Sequence, residues 1–133
     1  MFQLRKETDY AIQFLKLLSK QKKESLSLAE ISKTSGISFL FLQKIARKLR
    51  MAKIIKAEYG VRGGYSLRIP PEKISLKKII EVVEGRCGLL ACSGLGKAKC
   101  ECSMGHCCDL RSKMDKVNAQ ILKVLEGVKL KDL

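Results

Sequence analysis

Apolar residues recur along the chain at three successive spacings: a helical one, a strand-like one, and the alternating four-and-three step of a helix seam. From Glu7 to Lys20, residues Tyr10, Ala11, Phe14, Leu17 and Leu18 share one helical face, with lysines and glutamines on the other. This pattern predicts an amphipathic core helix. After the polar stretch Gln21 to Ser25, Ser27-Leu28-Ala29-Glu30 has the form of a capping box, which opens a second helix. Gly36 can take the left-handed conformation that ends that helix, and Ser38 caps a third one running to about Met51.

Two short helices across a glycine-containing turn form a helix-turn-helix. Ile31, Ile37, Leu42 and Ile45 are placed to hold the crossing, and the small Ser32 lets the helices approach. The opposite face of the third helix then carries Ser38, Leu40, Gln43, Lys44, Arg47 and Lys48. Gln and Lys suit base edges in a major groove, and Arg and Lys suit phosphates. A helical hairpin on any basic protein could carry a similar set, so the next element matters. Ile54 to Tyr59 and Tyr65 to Ile69 are β-prone runs joined by Gly60-Val61-Arg62-Gly63-Gly64, a hairpin that reads as a wing with Arg62 at its tip. Pro70-Pro71 stops its second strand.

A fourth helix is predicted over Ser75 to Glu84, with Leu76, Ile79, Ile80 and Val83 on one face and Gly85 as its stop. From Cys87 to Cys108 the hydrophobic period vanishes, and this segment holds all six cysteines and the one histidine, His106. Asp109 to about Val128 then places Leu110, Met114, Val117, Ile121, Val124 and Val128 on a seam suited to a second helix, most simply its own copy in a homodimer. Docking on the chain's own core is the alternative. The fold class is therefore mainly α. It comprises a winged helix-turn-helix domain over residues 1–85, a cysteine-rich loop over 86–108, and a long dimerisation helix with its tail over 109–133.

Charge selects the partner. The 133 residues carry 27 Lys and Arg against 13 Asp and Glu, a net charge of +14, which favours a polyanion. Double-stranded DNA fits better than a membrane surface, because the basic residues are spread over every segment instead of lying opposite one large apolar face. Met1 to Thr8 carries charges where a secretory signal would need an apolar run, and no stretch approaches a membrane span. The expected location is the cytoplasm, where thiols stay reduced and the cysteines need not form disulfides. Thiolates are soft ligands that select iron-sulfur clusters or zinc. Zinc is disfavoured because the segment has no C-x2-C pair. Direct oxidation of Cys100, Cys102, Cys107 or Cys108, a cofactor-free thiol switch, stays open. So does a different class, a small thiol electron carrier or enzyme, although that leaves the recognition helix and wing unexplained and finds no C-x-x-C motif.

Three groups of residues extend this picture: Thr8-Asp9-Tyr10-Ala11, Leu28-Ala29-Glu30-Ile31 through Gly36-Ile37-Ser38, and Gly60-Val61-Arg62-Gly63-Gly64-Tyr65. With the cysteine loop and last helix that follow, the chain resembles the winged-helix regulators that include IscR, NsrR and CymR. In motif it is nearest to the nitric-oxide-sensing repressors. The resemblance implies a homodimer on an operator of two half-sites, with no catalysis and no small-molecule substrate. It also implies an iron-sulfur cluster that senses iron-sulfur status, oxidants or nitric oxide.

Cluster-binding members use three cysteines, commonly with five residues between the last two, and Cys102 and Cys108 match. Cys92 is then the first ligand; nine residues separate it from Cys102, so the resemblance implies a local insertion or Cys100 in place of Cys102, with Cys87 and Cys107 as spare thiols and Cys107 a further alternative ligand. Where some members have a histidine ligand three residues after the last cysteine, this chain has Arg111. The resemblance to the nitric-oxide sensor points instead to Asp9, reaching from the partner subunit's first helix, with His106 as runner-up. By that resemblance, an acid ligand at Asp9 implies a four-iron rather than a two-iron cluster. Tyr59 stands where some members carry a wing arginine, and Gln43 where a recognition-helix glutamate is frequent, so the operator sequence does not carry over.

Overall fold

The computed structural model describes residues 3–22, 24–90 and 109–133. Among them are five helices: α1 (Lys6–Lys20), α2 (Leu28–Ser35), α3 (Phe39–Met51), α4 (Leu76–Glu84) and α5 (Asp109–Gly127). One antiparallel hairpin, β1 (Ile55–Glu58) and β2 (Gly64–Leu67), lies between α3 and α4. The core lies where α1, α2, α3 and α4 meet the base of the hairpin, and Phe14, Leu15, Ile31, Leu42, Ile45, Leu49, Ile54 and Ile79 are almost fully enclosed there. Leu15 belongs to this set although it falls beside the apolar stripe predicted for α1, because the helix is covered on more than one side.

The predicted start and stop signals act as the chemistry requires. The Ser27 hydroxyl accepts from the Glu30 amide, and the Glu30 carboxylate accepts from the Ser27 amide at 2.8 Å, which completes the capping box. Gly36 closes α2 at φ 73°, and the Ser32 hydroxyl donates to the Ile37 carbonyl at 2.6 Å, fixing the turn into α3. Ser38 and Ser75 cap α3 and α4. α1 has no side-chain cap of its own. Glu84, at the end of α4, serves instead: it accepts from the Arg5 amide at 2.9 Å and from the hydroxyl of the buried Thr8.

The hairpin pairs Ile55 with Leu67 and Glu58 with Gly64, so both strands are shorter than the β-prone runs. A third segment joins it. Leu26 and Tyr65 exchange backbone hydrogen bonds of 3.0 and 2.7 Å, tying the linker before α2 to β2. Gly64 is required by this closeness, since a Cβ there would fall on the Leu26 carbonyl group.

α5 buries none of its residues fully. It packs on α4, and Asn118, Ile121 and Leu125 face Ile80 and Glu84 across a cleft of about 500 Å³. Leu110, Val117 and Val124 stay 61%, 44% and 68% exposed. The predicted seam is thus split lengthwise, one edge on the chain's own core and the other outward. Beyond α5 the chain returns to the core: Leu76 donates to Val128, Leu130 donates to Ile74, both at 2.8 Å, and the Leu130 side chain is buried beside α1. Among the described residues no helix is long and apolar enough to cross a membrane.

Candidate nucleic-acid interface

The recognition surface follows from the burial of the other side of α3. Leu42, Ile45, Ala46 and Leu49 face the core, which turns Leu40, Gln43, Lys44 and Arg47 outward along one stripe at steps of three and four. Ser38 precedes the stripe, exposed, with its hydroxyl accepting from the Phe41 amide at 3.4 Å. The basic residues of the last turn, Lys48 and Arg50, complement the C-terminal end of the helix dipole.

Lys48 departs from the expectation placed on it. Its ammonium lies 2.9 Å from Glu7 Oε1 and donates to the Val83 carbonyl at 2.7 Å, so the side chain bolts α3 to α1 and α4 instead of facing a groove. Lys44 approaches the same Glu7 oxygen at 3.6 Å but leaves most of its side chain in solvent. Both ammonium groups meet Oε1 as an ion pair, without a hydrogen bond of regular angle. Burial alone would raise the Glu7 carboxyl; the contacts with Lys48 and Lys44 together outweigh it, and the group is held below the ordinary carboxylate range. Sequence reasoning missed Glu7, because no spacing rule relates a first-turn glutamate of one helix to a last-turn lysine of another.

At the wing, Tyr59, Val61 and Arg62 are all exposed. The loop is closed by the Gly63 amide donating to the Gly60 carbonyl at 2.9 Å, and the Ser25 hydroxyl donates to the Arg62 carbonyl at 2.7 Å. The tip is therefore braced against the α1–α2 linker, and Arg62 is presented from a fixed backbone. Val61, the most exposed apolar side chain at the tip, was not among the expected contacts.

Among the candidate cluster ligands, Cys92, Cys100, Cys102, His106, Cys107 and Cys108 lie outside the described residues. Asp9 is exposed in the first turn of α1 and accepts a hydrogen bond from Gln13 Nε2 at 3.2 Å. Cys87 is half-buried; burial pushes its thiol up, and the Glu81 and Glu84 carboxylates add to the rise, so it is a poor thiolate. The segment is rooted on α5. Asn118 Oδ1 accepts from the Leu89 amide at 3.2 Å, and its Nδ2 donates to the Cys87 carbonyl at 3.5 Å.

The Rrf2 family model, an iron-dependent transcriptional regulator, matches residues 4–133. This chain belongs to the Rrf2 family. The Rrf2 chain is similar to the HTH-type transcriptional regulator IscR of Cereibacter sphaeroides, with 43% identity over 70 residues, 53% of this chain and 45% of the relative. It is also similar to the regulator NsrR of Halalkalibacterium halodurans, with 29% identity over 132 residues, 98% of this chain and 89% of the relative. Its fold matches that of CymR, the global cysteine regulator of B. subtilis, at TM-score 0.75 and 25% identity, covering 99% of this chain and 95% of that one. The winged-helix architecture and the role of transcriptional regulator are thereby shared over residues 4–133 of this Rrf2 chain.

Proposed function

We propose that this Rrf2 protein is a homodimeric, operator-binding regulator whose DNA affinity is set by an iron-sulfur cluster. The cluster would be held by Cys92, Cys102 and Cys108, with Asp9 of the partner as fourth ligand. The observation that carries the reading is the anchoring of the cysteine segment: Asn118 holds residues 87 and 89 on α5, the helix whose outward edge remains uncovered. A change in the segment is thus delivered to the element that would set the spacing of two DNA-reading heads. The donor set suits the group. Three thiolates are soft ligands for iron, and Asp9 is exposed and makes no ion pair among the described residues, leaving its carboxylate presentable to a second copy. When bound, the cluster supplies a centre that oxidants or nitric oxide modify. The chain's own contribution is to carry a change at the cluster ligands through the Asn118 contacts to α5.

Protein purified without oxygen tests this. The expected result is a brown protein with visible charge-transfer absorption and matched iron and sulfide content, bound more weakly or more tightly to its operator by tenfold or more once the cluster is removed; ~1.4 kcal/mol of coupling suffices for tenfold. Serine at Cys92, Cys102 or Cys108 removes the colour, and D9N alters the spectrum without abolishing it. Colourless protein with six titratable thiols refutes the cluster and supports a thiol switch. Equal affinities of loaded and cluster-free protein refute the coupling.

A further inference from the structure

α3 opens with four apolar residues in a row, Phe39-Leu40-Phe41-Leu42, of which Leu42 is buried; apart from Met51 at its far end, the rest of its exposed face is polar and basic. Phe41 has a use within the chain, its ring meeting Tyr10 edge-on at 5.8 Å. Leu40 is 77% exposed and Phe39 45%. A lone exposed leucine needs no function. Leu40, however, heads the stripe that continues through Gln43, Lys44 and Arg47 at the third, fourth and seventh positions after it, so it is displayed in line with the basic residues. In a helix-turn-helix the N-terminal residues of the second helix meet base edges, while cations farther along meet phosphates. The feature of a major groove that an aliphatic side chain can recognise is the thymine 5-methyl group, since the other groups there are hydrogen-bond donors or acceptors.

We propose that Leu40, flanked by Phe39, is a specificity-determining residue that selects thymine in each half-site by packing on its 5-methyl group. The proposal rests on the operator-binding reading and adds to it what the head of the helix reads. Lys44 and Arg47 supply attraction that does not depend on sequence; Leu40 supplies discrimination without a hydrogen bond.

The test starts from duplexes selected from a random library by the full-length protein. Each thymine of the selected half-site is then replaced by deoxyuridine, which removes one methyl group and leaves base pairing intact. At one position the wild-type affinity falls about fourfold per half-site, and about fifteenfold with both replaced, as burial of a single methyl group predicts. L40A binds the thymine and deoxyuridine duplexes equally, whereas K44Q weakens both by the same factor and keeps the preference. Circular dichroism of L40A matches wild type, because the side chain it removes is in solvent. Deoxyuridine that changes the wild-type affinity less than twofold at every position overturns the proposal and leaves the operator-binding reading intact. An L40A protein that keeps the full preference overturns the assignment to Leu40. Failure to enrich any duplex overturns both readings together.

Discussion

Placing a charge on the outward edge of α5 separates the two uses of that helix. Val124 is 68% exposed, while Asn118, Ile121 and Leu125 on the neighbouring flank face α4. If Val124 is covered by a second copy, burying it is worth about 1 kcal/mol per protomer, and a two-fold axis counts it twice. V124E forfeits that burial and forces a carboxylate into an apolar seam near its own symmetry copy, which costs about 2 kcal/mol more. The dimer dissociation constant rises by roughly three decades. Sedimentation velocity over a wide concentration range measures it, with A119E as the control, an exposed position roughly 160° around the helix from Val117. A119E sediments as wild type and V124E as a monomer with unchanged helix content. A V124E protein that dimerises as wild type does, or a wild type that is monomeric throughout, refutes the assignment of this edge to a dimer.

L130A empties a site that is only 2% exposed beside α1 and costs about 2–5 kcal/mol, read as a lower midpoint in chemical denaturation. Glu7 has its carboxyl held down in the folded state, so its contribution is complete above the unfolded value near 4.5 and is lost as pH falls through the folded one; E7Q therefore lowers stability at neutral pH and flattens the acid limb of a stability-pH curve. G64A sets a methyl group against the Leu26 carbonyl, so hydrogen exchange at the Leu26 and Tyr65 amides accelerates well before global unfolding.

Local chemistry was legible in the sequence where one residue and its near neighbours decide the outcome. The Ser27–Glu30 box, the Gly36 stop, the Ser38 cap and the apolar face of α4 all act within a few residues of themselves. Contacts between distant segments were not. Leu26 pairs with Tyr65 as a single bridge, too short to leave an alternating pattern. Leu130 looks like one apolar residue in a basic tail until the tail folds back on Ile74. The recognition stripe follows from periodicity, but charge does not say whether Lys48 points to solvent or to a half-buried carboxylate on α1, which packs against α3. The wing glycines were legible as a turn; that Gly64 is fixed by a neighbouring strand's carbonyl required the third segment to be in place.

The return of the chain after α5 pins the C-terminal end of that helix to the core. Val128 and Leu130 are pinned to Leu76 and Ile74, while Asp109 begins the helix where the cysteine segment ends. With 19 residues, α5 is a rod of about 28 Å hinged at its C-terminal end. A tilt of roughly 5° about that hinge sweeps the Asp109 end through about 2.5 Å while barely moving Leu130, a lever ratio given by the rod length. A displacement applied at Asp109 therefore acts at the long arm, where the least force turns the rod.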